Sequence, residues 1–129
     1  MEGLFIDSPF QPCLHMAEGA RDLCGVPYGC KFSIQYCVAG MLKYGDMGVD
    51  RFLTEVSGDA EVRGLMAKTK VMRDAAIEAV HAADAAKLAS KLIVRCKDGR
   101  VLELQVDFPK GDPPNPMSWD ESVAKFMSL

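Results

Sequence analysis

Two runs of alternating residues meet at an Asp-Gly pair, and that arrangement constrains the fold more than any other feature of the sequence. Leu92, Val94 and Cys96 alternate with Ile93, Arg95 and Lys97. After Asp98-Gly99, Leu102, Leu104 and Val106 alternate with Val101, Glu103 and Gln105. A period of two on both sides of a two-residue turn signal predicts an antiparallel hairpin closed by a type I′ turn. On this reading Glu103 and Gln105 face solvent, while Leu102, Leu104 and Val106 face the core. So small a sheet must have one face covered by helices.

The natural cover is the segment Phe32 to Lys43. Phe32, Ile34, Tyr36, Cys37, Val38, Ala39, Met41 and Leu42 leave it little polar face, interrupted only by Ser33 and Gln35. A helix apolar on all sides is a buried helix. Gly45 is its expected stop. A short helical segment is expected from Val49 to Val56. Ser57 can cap the next helix, which carries Glu61 in its first turn and runs to about Ala67. Thr69 to Met72 is a short strand candidate, and the alanine-rich run Ala75 to Ala89 has high helical propensity. Near the N-terminus, Leu4 to Ile6 resembles the end of a strand. Asp7 to Gly29 is irregular and punctuated by Pro9, Pro12, Gly19, Gly25 and Pro27. A loop with four prolines follows the hairpin. Ser118 and Glu121 then form a capping box that opens a last helix bearing the apolar pair Val123 and Phe126. The expected fold is α+β: a two-layer sandwich in which a small antiparallel sheet with a β-hairpin is covered by helices.

With 129 residues, 49% of them apolar and 26% charged, the chain has the balance of one soluble globular domain. A net charge of −3 without a basic stripe argues against nucleic acid as a partner. The apolar runs are too short for a membrane span, and the first residues do not form a secretory signal. Cys13, Cys24, Cys30, Cys37 and Cys96 are odd in number and lack CxxC spacing, so free thiols in a reducing cytoplasm are expected. Cys37 and Cys96 read as core residues. Cys13 and His15 lie close in sequence, but a third and fourth ligand cannot be named, so no metal is expected. His15 reads as exposed and inert.

Three stretches taken together resemble the C-terminal domain of the MmgE/PrpD family. They are Cys30-Lys31-Phe32-Ser33-Ile34-Gln35-Tyr36-Cys37-Val38-Ala39, Val94 to Glu103 around Lys97-Asp98-Gly99, and Pro109 to Ser118 followed by Ala124-Lys125-Phe126. The family includes 2-methylcitrate dehydratases, cis-aconitate decarboxylases and iminodisuccinate epimerases. The resemblance implies a small α+β lid that closes over a large helical N-terminal domain, with a small di- or tricarboxylate in the cleft between. It implies neither cofactor nor metal. The helical domain, and the Lys- and His-bearing segment that precedes the lid, have no counterpart in these 129 residues. The expectation is therefore an incomplete enzyme, either one piece of a split or truncated gene or a fragment.

Chemistry next to a carboxylate needs cations to hold the substrate and a proton donor or acceptor at the reacting carbon. The resemblance places Tyr36 near the cleft as the candidate catalytic residue, with Lys31, Ser33 and Gln35 as candidate substrate-binding residues. Lys31 continues the family's Ala-Lys-Phe-Ser run, with Cys30 in place of the alanine. Plainer roles stand beside these. Tyr36 reads equally well as a core tyrosine bonded to a backbone partner, Gln35 as a residue satisfying a buried carbonyl, Ser33 as a helix start and Lys31 as a solvated surface residue. Three functions follow. The first is the lid of a lyase or isomerase, inactive alone and completed by a helical partner domain or subunit. The second is a non-catalytic dimerisation or partner-binding module, and a homo-oligomer is expected. The third is a small-molecule-binding domain without catalysis.

Overall fold

The computed structural model describes residues 3–7, 27–53 and 58–129. In chain order its elements are β1 (Gly3–Asp7), α1 (Pro27–Cys30), α2 (Ile34–Tyr44), a 3-10 turn (Val49–Phe52), α3 (Ala60–Lys68), β2 (Thr69–Met72), α4 (Ala75–Ala83), β3 (Ser90–Arg95), β4 (Val101–Val106) and α5 (Trp119–Met127). The strands form one sheet in the order β2-β1-β3-β4. β3 is antiparallel to β1 and to β4, and β1 is parallel to β2. The α+β class and the hairpin are as expected. The parallel pair is an addition, and it follows from connectivity: a parallel return needs a long crossover, which here contains α1, α2 and α3.

Local chemistry sets the helix ends. α2 begins one residue after Ser33, which keeps an extended backbone and accepts the Tyr36 N–H. It stops at Gly45, whose φ of 78° suits a left-handed cap and whose N–H returns to the Met41 carbonyl. Asp59, not Ser57, caps α3 by accepting the N–H groups of Glu61 and Val62; Ser57 itself lies outside the described residues. α4 ends at Ala83, short of the expected Ala89. There the Asp84 carboxylate takes the Ala86 N–H, and His81 Nδ1 lies 2.8 Å from the Lys87 carbonyl oxygen. Side-chain competition for the backbone thus overrides alanine propensity. α5 opens on the expected capping box of Ser118 and Glu121.

The hairpin turn differs from expectation. The Gly99 N–H bonds to the Cys96 carbonyl, the Cys96 N–H bonds to Arg100, and only Gly99 has positive φ (84°). This is a three-residue connection with a type I turn and a glycine bulge, not a type I′ turn, which would need positive φ at Asp98 as well. Asp98 instead uses its carboxylate on the backbone N–H and the guanidinium of Arg100.

The main core lies between α2 and α3. Tyr36 and Ala39, one turn apart on α2, meet Val62 and Met66 on α3, with Cys30 beneath and Tyr44, Met47, Phe52 and Leu65 around them. Each large apolar side chain so buried contributes roughly 1.5–3 kcal/mol. Gly40 permits close approach by Met47, since a Cβ there would fall 2.4 Å from the thioether sulfur. Thr69 closes α3 through its hydroxyl on the Leu65 carbonyl and starts β2 in the same step. Ile77, Ala89 and Val94 are buried outside this cluster.

Two core expectations are corrected. Leu102 and Leu104 are 53% and 62% exposed, and Val106 is also exposed. They share a sheet face with Leu92 and Val94, as the register requires. Leu92 on β3 shares an apolar groove with Cys37, Val38, Met41 and Leu42 of α2, whereas the same face is left open at β4. Cys37 and Cys96 are half-buried, whereas Cys30 is the buried thiol among the described residues. Val123 and Phe126 on α5 are exposed.

Candidate functional site

The residues singled out from the sequence lie together where α1 runs into α2. Backbone bonds from Lys31, Phe32 and Ser33 back to Tyr28, Gly29 and Cys30 form a tight link between the two helices. The link presents Lys31 outward and turns Ser33 inward. The Ser33 hydroxyl caps the helix and lies 3.4 Å from Gln35 Oε1. Both Ser33 and Gln35 are buried.

Tyr36 is fully buried, packs its ring 5.8 Å from that of Phe52, and donates its hydroxyl to the Arg51 carbonyl. Arg51 is in turn held by a two-pronged contact with Asp46 (3.0 and 2.8 Å) and stacks on the Tyr44 ring at 4.6 Å. The Arg51 guanidinium, and after it the Gly48 N–H, hold the Asp46 carboxyl below its usual range. Tyr36 thereby fixes the 3-10 turn against the start of α2.

Lys31 is the exposed member of the group. Its ammonium lies 5.5 Å from the Tyr28 ring centroid and 5.9 Å from that of Phe52, and it has no acidic partner among the described residues. Phe52 therefore touches both Lys31 and Tyr36. A cation over aromatic faces keeps its charge available to an anion.

Beyond Lys31, α2 carries a feature that the sequence reading placed in the core. Cys37, Val38, Met41 and Leu42, with Met47 and Leu92, line an open apolar groove of about 300 Å³. Met41 and Leu42 are exposed. The all-apolar character of the helix was the available signal: one face serves the core of this domain, and the other is left for something else. A second, more polar depression of about 550 Å³ lies between residues 46–51 and the end of α5, with Asp46, Asp50, Arg51, Lys125 and Ser128 on its walls.

On the far side of α2, Lys43 bridges Asp59 (2.6 Å) and Glu61 (2.7 Å), and the Tyr44 hydroxyl donates to Asp59 at 2.9 Å. These bonds push Lys43 well above its ordinary value and hold Asp59 well below its own, with the Val62 N–H helping at Asp59. The cluster ties α2 to the cap of α3, and the sequence reading had not picked it out. Among the described residues no group of three or more His, Cys, Asp or Glu is placed to hold a metal ion. No helix among them is long and apolar enough to cross a membrane. Cys13 and His15 lie outside the described residues.

The site thus offers one exposed ammonium backed by aromatic rings, a buried polar helix start, and an apolar wall with no cover from the described residues. That arrangement can hold an anion at Lys31, with an apolar wall on the helix that follows. A comparison with curated proteins gave no match. A family model for the MmgE/PrpD C-terminal domain matches residues 16–129, which take in every element from α1 to α5. Together with the α+β fold, that match shows that the chain belongs to the MmgE/PrpD family and carries its C-terminal domain.

Proposed function

We propose that this chain serves as the lid of a lyase or isomerase that acts on small di- or tricarboxylates, in the manner of 2-methylcitrate dehydratase, and that it has little or no turnover alone. The observation that carries the proposal is the open apolar groove on α2, with the exposed Lys31 three residues ahead of that helix. A domain with its own core has no need of a second apolar helix face, and such faces mark contact surfaces. The face fits a helical partner, either the family's N-terminal domain or a separate subunit, in a cytoplasmic enzyme.

In this reading Lys31 holds a substrate carboxylate at the cleft rim. Ser33 and Gln35 set the first turn of α2 from below. Tyr36, the candidate catalytic residue, reaches substrate only if its hydroxyl exchanges the Arg51 carbonyl for the ligand. While that bond persists it acts as a positioning residue for the 49–52 turn. Loss of water, loss of carbon dioxide and inversion at a carbon next to a carboxylate all begin from this same anion contact.

The same apolar face also favours a second reading, a non-catalytic partner-binding module. Two assays separate them. The isolated chain should not turn over 2-methylcitrate, cis-aconitate or iminodisuccinate at an enzymatic rate, and robust turnover would refute incompleteness. Addition of the helical MmgE/PrpD partner from the same source should produce activity that Lys31→Ala lowers mainly through KM. Complex formation without any such activity favours the module.

A further inference from the structure

The bend after α2 carries a clasp with a consequence for the anion-facing lysine. We propose that Arg51 is a positioning residue for Lys31: gripped by Asp46 and stacked on Tyr44, it fixes the turn that carries Phe52, and Phe52 in turn holds the Lys31 ammonium in place. The consequence for substrate rests on the reading of Lys31 as the carboxylate-holding group, whereas the positioning itself depends only on contacts within this chain.

Asp46 and Arg51 lie 5 residues apart, with Gly48 between them. Asp46 Oδ1 accepts the Gly48 N–H at 3.1 Å and the Arg51 Nε–H at 3.0 Å, and Oδ2 accepts from Nη2 at 2.8 Å. One carboxylate thus closes the bend and grips the guanidinium through two bonds, a geometry that fixes an arginine in direction as well as in place. The same guanidinium lies 4.6 Å from the centroid of the Tyr44 ring, and the Tyr44 hydroxyl donates to Asp59 at the cap of α3. The Arg51 side chain is therefore tied to both helices of the core.

The backbone of Arg51 is held as well. Its carbonyl accepts the Tyr36 hydroxyl, and that carbonyl belongs to the peptide group joining Arg51 to Phe52. A peptide group is planar, so a carbonyl held by Tyr36 and a side chain held by Asp46 restrict the direction in which Phe52 projects. The Phe52 ring then lies 5.8 Å from the Tyr36 ring and 5.9 Å from the Lys31 ammonium. Tyr28 supplies a second ring at 5.5 Å from that ammonium, but it is 68% exposed, whereas Phe52 packs against the core cluster. Phe52 is the firmer wall. A lysine stem has many rotamers, and a wall that removes some of them keeps the charge at one place for more of the time.

The clasp is suited to this role rather than to holding the core together. Its side chains are 32% and 53% exposed, and an exposed ion pair adds little to global stability. Its effect is local, on the turn and on what the turn carries.

The test uses the whole 129-residue chain. The protons next to the Lys31 ammonium, assigned by comparison with Lys31→Arg, should resonate away from the ordinary lysine position, because two ring centroids lie 5.5 and 5.9 Å from the ammonium. Phe52→Leu removes one ring and sets the size of change expected when that wall is lost. Arg51→Met and Asp46→Ala should each shift these resonances toward the ordinary position by most of that amount. Combining the two should add little, since both break the same clasp. In the complex with the helical partner each should act mainly through KM, raising it roughly threefold to tenfold, with no further rise in a Lys31→Ala background. Asp46→Ala changes only a half-exposed carboxylate, so the comparison holds even where Arg51→Met fails to fold. Resonances that stay in place in Asp46→Ala overturn the proposal. So does an effect of a folded Arg51→Met that Asp46→Ala does not reproduce, which would mark the Arg51 charge itself as the acting group. Resonances that move while KM holds uphold the positioning and instead sink the substrate role given to Lys31.

Discussion

Removing the Tyr36 hydroxyl tests the packing argument most directly. Tyr36→Phe keeps the ring, its contact with Phe52 and its place between α2 and α3, and deletes only the donor to the Arg51 carbonyl. A buried acceptor stripped of its partner costs about 1–3 kcal/mol. Arg51 is only half-buried, so water can reach part of the vacated position and the lower half of that range applies, about 1–2 kcal/mol. Unfolding entropy near 2.1 cal/mol/K per residue converts this into a fall in Tm of roughly 4–7 °C for a chain of this length. Calorimetry and urea titration of the isolated chain measure it. A loss within error of zero would mean that the bond does not anchor the 49–52 turn, and the account of the α2 start would fail. In a complete enzyme the same substitution should lower kcat by more than the stability loss explains. Losses that match would leave Tyr36 with packing alone.

Other outcomes follow from the same geometry. Asp59 is held below its ordinary 3.8 mainly by Lys43, so its contribution to stability is complete above about pH 4–5 and drains as pH falls through the native value. Asp59→Asn keeps a capping acceptor and should flatten the acid limb of the pH–stability curve; an unchanged limb would sink the assignment. Lys43 has the opposite sign: raised above 10.5, its share is present below that pH and is lost as pH rises through its native value. Gly99→Val forces a branched side chain into φ of 84° and should cost at least about 1–2 kcal/mol in thermal unfolding, with Gly99→Asn milder. Ser118→Ala removes the capping box at about 1 kcal/mol. Because α5 leaves Trp119 81% exposed and Phe126 and Met127 nearly as open, that loss should appear as faster amide exchange within α5 while the global Tm holds.

Part of this protein was legible in the residues alone. The hairpin, the stop at Gly45 and the capping box at Ser118 all rest on interactions within a few positions along the chain, so local spacing is enough to reveal them. The family resemblance came from residues 30–39, 94–103 and 109–118, and its C-terminal-domain assignment is supported by the match over residues 16–129. Tertiary structure decided what depends on distant neighbours. Alternation told which residues of β4 share a face but not whether a helix lies over that face; the helical layer ends at Leu92 and leaves Leu102 and Leu104 open. Apolar character all around α2 could not distinguish burial within this domain from contact with another. Alanine propensity predicted a helix to Ala89 but carried no information about the turn that Asp84 and His81 impose. The meeting of Lys31, Tyr36 and Phe52 joins positions up to 21 residues apart, and Lys43 reaches Asp59 across 16, separations at which a sequence pattern loses its reach and only the packed chain brings the groups together.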